Sequence, residues 1–338
     1  MYRRLHIAGI DVGGMALTAP MSGVSDLPFR RAVARFGAPY VVTEMVAADA
    51  LVQGRADVVQ RAARDPALPL NVVQLVGREA RWIALGARLA EETGADIIDL
   101  NMGCPSREVT GVLCGAALMR RLDHAGRLLE AAVGATKRPV TLKMRLGWDD
   151  SSRNAPELAA LAERCGVKAV TVHARTRNQF YKGKCDWHAL RAVKAAVNVP
   201  VIVNGDIADA ASASEALKQS GADAVMIGRG ACGRPWLAAA IDRVLQDGTA
   251  LQEPGMEERL GVVLGHFRDS LRFYSDRPGL RIFRKHLAWY VEKAPFPADA
   301  GLRRAAKAVL CRLDSPLAVE TALTGLWRRG EIPAQAVA

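Results

Sequence analysis

Eight short apolar runs, separated by longer amphipathic stretches, most constrain what this chain can fold into. The runs are rich in Val and Ile and span 15–21, 40–44, 71–76, 96–100, 139–145, 168–173, 200–204 and 223–227. Nearly continuous apolar runs of this length are typical of parallel strands that are buried on both faces. Eight strand–helix units in succession predict an α/β fold, and specifically a (β/α)8 TIM barrel.

Six stretches between or after the runs have the apolar spacing of amphipathic helices, at 25–36, 78–93, 116–136, 155–165, 188–197 and 209–220. Stretch 25–36 opens on Ser25 and Asp26, which are favourable N-cap residues, and stretch 78–93 ends before Gly94, a favourable stop. Beyond residue 251 the pattern changes to helices without strands, over 256–273, 280–292, 301–310 and 316–328. We therefore predict a barrel domain over 1–248 and a small all-helical domain over 251–330.

The composition narrows the class of protein. Lys and Arg number 46 against 35 Asp and Glu, and the resulting net charge of +11 would attract a polyanion such as nucleic acid, although it could merely aid solubility. No apolar run is long enough to cross a bilayer, and His6 and Asp11 interrupt any signal-like core near the N-terminus, so we expect a cytoplasmic protein. The six cysteines include no C-x-x-C pair, so neither a zinc site nor a disulfide framework is expected.

Nearly every predicted strand delivers a polar or small residue at its carboxyl end. In α/β barrels the reactive groups lie at this end of the strands, so these residues predict a single functional rim. They are Pro20, Met21, Glu44, Gln74, Asn101, Cys104, Lys143, Arg145, His173, Arg175, Asn204, Gly205, Asp206, Gly228 and Arg229.

The ends of strands seven and eight, NGDI and GRG, match the usual phosphate site of this fold. Small residues there let backbone N–H groups approach an anion, and Arg229 adds positive charge. The stretch GRGACG also fits the G-x-G-x-x-G pattern of dinucleotide-binding folds. Such a fold requires a strand that ends in an acidic residue after the motif, and no such strand follows here. The alternative is that Gly228 and Gly230 only form a tight turn.

Three rim residues carry the chemistry that we expect. Lys143 ends an apolar strand, so its amine should face the cavity and hold an anionic cofactor or reaction centre unless it reaches solvent. His173 stands at the analogous place on the next strand, although a histidine there could be a core residue. Cys104 lies in a tight loop in NMGCPS, and an unperturbed thiol, with a pKa of about 8.5, could act as an acid or a nucleophile at neutral pH.

Seven motifs in the right order along the chain resemble the tRNA-dihydrouridine synthase family, most closely its bacterial B branch. They are APMSGVSDLPFR, DIIDLNMGCPSREV, GAALM, TLKMRLGW, VTVHARTRNQFYKG, VIVNGDI and GADAVMIGRG. The resemblance implies an FMN-dependent enzyme that draws electrons from NADPH and reduces the C5=C6 bond of uridines in tRNA to 5,6-dihydrouridine. It also implies that the barrel binds FMN and catalyses the reaction.

The resemblance assigns a role to each site residue. It implies that Cys104 is the catalytic proton donor and that Asn101 faces the uracil. The residues that would bind the flavin are Pro20, Met21, Ser22, Gln74, Lys143, His173, Asn204, Gly205, Asp206, Gly228 and Arg229. Arg175 and Arg177 would face the RNA, and Arg145 is grouped with the residues that contact the substrate. Ser22 and Cys114 depart from the family pattern, and any role of Cys114 is left open.

The helical segment 268–293 is rich in basic residues, and we expect it to grip the RNA backbone through Arg281, Arg284 and Lys285. The alternative is an ordinary solvated helix face. We expect the protein to be a monomer that binds tRNA, holds no metal ion and does not associate with a membrane.

Three other classes of protein share some of these features. A flavin barrel that acts on a free pyrimidine, such as a dihydroorotate dehydrogenase, would share the phosphate site and Lys143 but would not need a basic helical domain. A Schiff-base aldolase would use Lys143 and purify without colour. A non-enzymatic RNA-binding protein would not depend on Cys104.

Overall fold

The computed structural model describes residues 4–38, 40–295 and 300–330. It confirms a (β/α)8 TIM barrel that is followed by helices at the C-terminus. An antiparallel hairpin precedes an eight-stranded parallel sheet in which β3 and β4 are the two ends of the hydrogen-bonded order β3-β10-β9-β8-β7-β6-β5-β4. The strands are β1 (His6–Ile7), β2 (Ile10–Asp11), β3 (Ala16–Thr18), β4 (Val46–Ala47), β5 (Val72–Val76), β6 (Ile97–Met102), β7 (Val140–Arg145), β8 (Val170–His173), β9 (Val201–Asn204) and β10 (Ala224–Ile227).

The barrel closes through the segment that the sequence predicts as its second strand. Val41 bridges to Thr18 and Val42 bridges to Val72, both in parallel. The ladder over the predicted run 40–44 is short because the Thr43 hydroxyl, rather than a backbone carbonyl, accepts the Gln74 backbone N–H at 3.0 Å. The assigned strand therefore begins later than predicted, at Val46.

Helices cover the outside of the sheet. Small residues on their inner faces, such as Gly86 and Ala87 in α4, allow close packing against the strands. The helices of the barrel are α1 (Leu27–Ala34), α2 (Ala48–Val52), α3 (Ala56–Arg61), α4 (Ala80–Glu92), α5 (Arg107–Thr110), α6 (Leu122–Ala135), α7 (Ala155–Arg164), α8 (Leu190–Ala196), α9 (Ala210–Ser220) and α10 (Leu237–Asp247).

Several of these helices differ from the sequence prediction. The structure adds α2, α3, α5 and α10, and it divides the predicted helix 116–136 into a 3₁₀-helix, Gly115–Arg120, and α6. The division falls at Arg121, whose φ of −140° and ψ of 70° are not helical. Short helices such as α2 offer too few turns for a period of 3.6 to be seen in the sequence.

The N-terminal hairpin, which the sequence prediction missed, closes the lower end of the barrel. Ile7 and Val12 join a buried cluster with Ile97, Ile202 and Ala224, which stand at or near the starts of their strands. The starts of the strands lie at the end of the barrel opposite the functional rim. The hairpin therefore covers that end and leaves the end with the functional rim open.

Four helices with their own hydrophobic cluster follow the barrel. They are α11 (Met256–Tyr274), α12 (Asp276–Lys293), α13 (Ala300–Leu310) and α14 (Pro316–Arg329). Helix α11 packs against α1, where the Tyr274 hydroxyl donates to the Asp26 carboxylate at 3.1 Å. The predicted boundary at 248–251 falls between α10 and α11, and the independence of the two domains stays a prediction. Within the described residues, no helix is both long enough and apolar enough to cross a membrane.

Candidate active site

The sheet register brings the predicted rim residues together. Asn101 of β6 pairs with Lys143 of β7, and His173 of β8 lies between Arg145 of β7 and Asn204 of β9. Polar side chains from four neighbouring strands therefore face the open end of one barrel.

A chain of buried hydrogen bonds runs beneath this rim and begins at Asp99, which the sequence analysis did not single out. The Asp99 carboxylate accepts from the Thr141 hydroxyl and from Gln74 Nε2, both at 2.6 Å. Gln74 Oε1 in turn accepts from Asn101 Nδ2 at 2.8 Å. Because a carboxylate can only accept, Asp99 fixes which way the Gln74 amide points, and this fixes the Asn101 amide.

Lys143 is a half-buried cation of the barrel mouth. Its amine donates to Asn204 Oδ1 at 2.9 Å, and Asn204 Nδ2 donates to the Met226 carbonyl at 2.7 Å. The pKa of Lys143 is lowered from 10.5 to about 8, chiefly by burial; the negative charge of Asp99 opposes this shift and the positive charge of Arg145 adds to it.

The loop that carries Cys104 is held on both sides. Asn101 Oδ1 accepts the backbone N–H groups of Gly103 and Cys104, at 3.1 and 2.9 Å. Arg145 Nε donates to the Gly103 carbonyl at 2.8 Å. Cys104 is half-buried and follows the end of β6 by two residues, so its loop lies at the barrel mouth.

Arg145 and Arg175 are buried, unlike typical RNA-facing arginines. Arg145 Nη1 donates to the carbonyls of Thr176 and Phe180, and Arg175 forms an ion pair of 2.7 Å with Asp206. The Arg175 side chain is only 2% exposed. These contacts indicate that both arginines support loops of the rim, and they do not favour the direct RNA contact expected for Arg175.

His173 lies among positive charges. Burial, followed by Arg145, Lys143, Arg175 and Arg229, lowers its pKa well below 6.5, so the imidazole is neutral at pH 7. Its Nε2 lies 3.3 Å from Arg175 Nη1. Since a guanidinium can only donate, Nε2 accepts and the ring proton is assigned to Nδ1.

The rim after β9 and β10 is built on glycines. Gly205 has a φ of +112°, and a Cβ there would lie 2.4 Å from Cys185 Sγ and 2.7 Å from His173 Cδ2. The 3₁₀-helix Arg229–Ala231 follows Gly228, and its first N–H groups have no acceptor within the helix. These features suit a bound anion, and the exposed Arg229 adds charge beside them.

We expect Gly205→Ala to lose cofactor binding and stability together, because the added methyl group would push His173 and Cys185 away from the rim. The measurement is the flavin bound per protein chain, alongside the thermal unfolding midpoint. Gly221→Ala is the matched control: its φ is +68°, but nothing lies within 4 Å of its added methyl group. Equal flavin content in the two variants would contradict this role for Gly205.

Tyr181, also missed from the sequence, covers part of the mouth. Its ring lies 5.5 Å from the Arg145 guanidinium, 4.9 Å from that of Arg229 and 6.1 Å from the His173 ring. The side chain is 52% exposed. No spacing in the sequence could reveal Tyr181, because it projects from an irregular loop after β8.

The loop after β3 carries Pro20, Met21 and Ser22 to the same rim. Glu44 accepts the backbone N–H of Gly23 and so fastens this loop to the neighbouring strand segment. Lys285 of α12 reaches the same loop, because its Nζ would lie 3.6 Å from a Cβ at Gly23.

The remaining residues that were expected to face RNA differ in exposure. Arg281 is exposed, whereas Arg177, Arg284 and Lys285 are half-buried. Cys114 is buried and burial raises the pKa of its thiol to about 11, which favours packing over reactivity. The described part of the chain contains no cluster of His, Cys, Asp and Glu that could hold a metal ion.

Two solved enzyme structures share the fold. A histamine dehydrogenase from Rhizobium sp. 4-9 superposes with a TM-score of 0.53 at 12% identity, covering 79% of this chain and 50% of that chain. A morphinone reductase variant in complex with tetrahydroNAD gives a TM-score of 0.51 at 15% identity, covering 76% of this chain and 93% of that chain. At such identities the likeness concerns the fold alone.

Sequence comparison is more specific. The family described as dihydrouridine synthase (Dus) matches residues 17–322. A probable tRNA-dihydrouridine synthase of Rhodobacter capsulatus is 54% identical over 86% of this chain and 90% of its own length. A tRNA-dihydrouridine synthase B of Vibrio cholerae is 42% identical over 86% and 90%. This chain therefore belongs to the dihydrouridine synthase family.

Proposed function

We propose that this protein reduces the C5=C6 bond of uridine in tRNA to dihydrouridine, with FMN as cofactor and NADPH as electron donor. The observation that carries the proposal is the cluster of cations around His173 at the barrel mouth. Lys143 and Arg145 lie on the neighbouring strand β7, Arg175 Nη1 lies 3.3 Å from the imidazole, and Arg229 shares the Tyr181 ring with it. Three acids, Glu44, Asp99 and Asp206, stand against these four cations and Lys285, so the mouth favours an anionic ligand.

The residues of the mouth fit FMN. The glycine-built rim after β9 and β10, with Arg229, would hold the phosphate, while Lys143 and Gln74 would contact the polar edge of the ring. Asp206 is engaged by Arg175, so its contribution to the ribityl chain would be through the shape of the loop. When bound and reduced, FMN supplies a hydride.

Cys104 and Asn101 complete the chemistry from the protein side. The uracil C5=C6 bond is conjugated to the C4 carbonyl, so addition of hydride at C6 leaves a carbanion equivalent at C5 that needs a proton. The Cys104 thiol, on the loop fastened by Asn101, is positioned to give that proton. Asn101 Oδ1 already accepts two backbone N–H groups, so only its second amide N–H remains to bind the base.

Cofactor affinity should depend on pH through Lys143. The folded pKa of Lys143 is lowered from 10.5 to about 8, so the free protein loses this charge as pH rises through about 8. We expect FMN affinity to fall over the same interval, because an anionic ligand binds best to the protonated amine. Fluorescence titration of FMN from pH 6 to 10 should show this step in the wild type and not in Lys143→Met. A step of equal size in both proteins would contradict the role of Lys143.

The substrate base is stacked in folded RNA and must be turned out to reach the mouth, which costs a few kcal/mol. Phosphate contacts to a basic surface can offset this cost. Arg281 is exposed on α12 and Lys285 reaches the loop after β3, which supports an RNA path from the helical domain to the barrel mouth. On this proposal the protein acts as a cytoplasmic monomer.

The test is to incubate the purified protein with NADPH and an unmodified tRNA transcript, and to analyse the nucleosides by mass. We expect the purified protein to be yellow, and the treated transcript to contain a nucleoside that is heavier than uridine by two hydrogen atoms. Turnover of free orotate or uracil without any change in the transcript would favour a free-pyrimidine enzyme. A colourless protein that borohydride traps with a carbonyl substrate would favour an aldolase.

A further inference from the structure

A tryptophan on the rim lies between Arg177, which the family resemblance assigns to the RNA, and Arg120, to which nothing so far assigns a role. The Trp148 ring lies 4.9 Å from the guanidinium carbon of Arg120 and 4.5 Å from that of Arg177. Trp148 follows β7, Arg120 ends the 3₁₀-helix after the Cys104 loop, and Arg177 follows β8. All three therefore project from the end of the barrel that holds the candidate active site.

We infer that Arg120 and Arg177, oriented by Trp148, bind the RNA backbone beside the uridine that enters the barrel. We call these three residues the Trp148 clamp. The inference rests on the proposed function and deepens it, because it names a contact surface for the RNA on the barrel itself, separate from the basic face of α12.

The clamp is joined directly to the loop of the candidate proton donor. The backbone N–H of Ala116, in the first turn of the 3₁₀-helix, donates to the Cys104 carbonyl at 3.0 Å. At about 2 Å of rise per residue, the six residues of this helix place Arg120 on the order of 10 Å from that loop. A strand of RNA that delivers a base to Cys104 would therefore pass the clamp.

The hydrogen-bonding capacity of the clamp is only partly used. Arg177 donates from Nη1 to Asn178 Oδ1 and from Nη2 to Thr110 Oγ1, each at 3.2 Å, so each terminal nitrogen keeps a second N–H. Arg120 is exposed and forms no ion pair within the part of the chain that the structure describes. Stacking on an aromatic ring holds a guanidinium plane in place while its N–H groups stay free, which suits a phosphate.

Apolar side chains next to the clamp favour single-stranded RNA over a small anion. Among the described residues, five large hydrophobic side chains are exposed. Two of them, Val112 and Leu113, closely follow Thr110, which contacts Arg177. Leu113 also has a φ of +56°, an unusual conformation for a non-glycine residue. Exposed apolar groups beside guanidinium groups match the alternating bases and phosphates of an unpaired strand.

The test is binding of an unmodified tRNA transcript as a function of salt, measured on the flavin-loaded protein. Arg120→Gln should weaken binding severalfold and reduce the slope of log Kd against log salt by about 1, as loss of one phosphate contact requires. Arg88→Gln is the matched control, because Arg88 is exposed on α4, outside the rim, and its replacement removes the same charge. It should leave the slope unchanged.

A second pair of variants tests the role of the ring. Trp148→Leu should raise Kd for the transcript roughly fivefold to tenfold, whereas Trp148→Phe, which keeps an aromatic face, should restore most of the affinity. Flavin content and the rate of flavin reduction by NADPH, which need no RNA, should stay at wild-type values in both. A loss of flavin in Trp148→Leu would show that the ring only supports the fold.

These outcomes separate the clamp from the proposed function. Wild-type Kd and salt slope in Arg120→Gln, in a protein whose wild type still forms dihydrouridine, would overturn the clamp and leave the function standing. Absence of dihydrouridine with the wild type would remove the function, and the RNA assignment of the clamp with it.

Discussion

Replacing Cys104 with alanine should lower the rate of dihydrouridine formation by a factor of about 10² to 10⁴, the usual contribution of a positioned general acid. The cause is the loss of the proton donor alone, because the Cys104 loop is fastened through its backbone, by Asn101 Oδ1 and by the Ala116 N–H, rather than through its thiol. The measurement is single-turnover formation of dihydrouridine by the reduced enzyme.

Three readouts show whether the loss is in the chemical step. Flavin content and the Kd for an unmodified transcript should be unchanged in Cys104→Ala, and so should the rate of flavin reduction by NADPH. Cys165→Ala is the control, since Cys165 ends α7 on the outside of the barrel and its half-buried thiol lies 3.9 Å from the Gly126 carbonyl. A Cys104→Ala enzyme that keeps the wild-type single-turnover rate would remove Cys104 from the mechanism.

Replacing Asp99 with leucine should destabilise the protein by about 2–6 kcal/mol, because two buried donors would lose their acceptor at about 1–3 kcal/mol each. The negative charge of Asp99 also favours the protonated form of half-buried Lys143, and its carboxylate accepts from Gln74 and Thr141. Denaturant unfolding of the flavin-free protein measures the loss. We expect Asp99→Asn to lose less, because its amide keeps the shape and part of the hydrogen bonding.

A double variant isolates the charge. If Asp99 acts through Lys143, then Asp99→Asn with Lys143→Met should be more stable than the sum of the two single changes predicts, since no uncompensated charge remains buried. Asp57→Asn, which changes an exposed carboxylate paired with Arg55, should unfold at the wild-type midpoint. Strict additivity of Asp99→Asn and Lys143→Met would contradict the coupling.

Sequence patterns are sufficient to predict the barrel and most of its rim. Strands such as β7 and β9 read as apolar runs that end on polar residues, so the sequence alone places Lys143 and Asn204 at the mouth. A buried parallel strand is visible in the sequence as a continuous apolar run, and active sites in such barrels lie at the carboxyl ends of the strands. Neither prediction requires knowledge of contacts between distant residues. The N-terminal hairpin is missed, because two strands of two residues carry no period.

Contacts between distant residues cannot be predicted in the same way. Arg175 was expected to face RNA, but its partner Asp206 is 31 residues away and only the fold brings the two together. Asp99 lies inside the apolar run DIIDL, where a buried acid gives no signal until Gln74 and Thr141 are seen to bind it. The role inferred for Trp148 depends on Arg120 and Arg177, and only the fold brings these two residues beside its ring.

The central claim is that one barrel mouth brings a flavin and Cys104 to a uridine in tRNA. Its most direct test is to reduce the enzyme with a limiting amount of NADPH without oxygen, add an unmodified transcript, and follow the flavin absorbance while dihydrouridine is counted. The account predicts that the flavin is reoxidised and that one dihydrouridine forms for each flavin. A flavin that stays reduced with the transcript, but is reoxidised by a free pyrimidine, would contradict it.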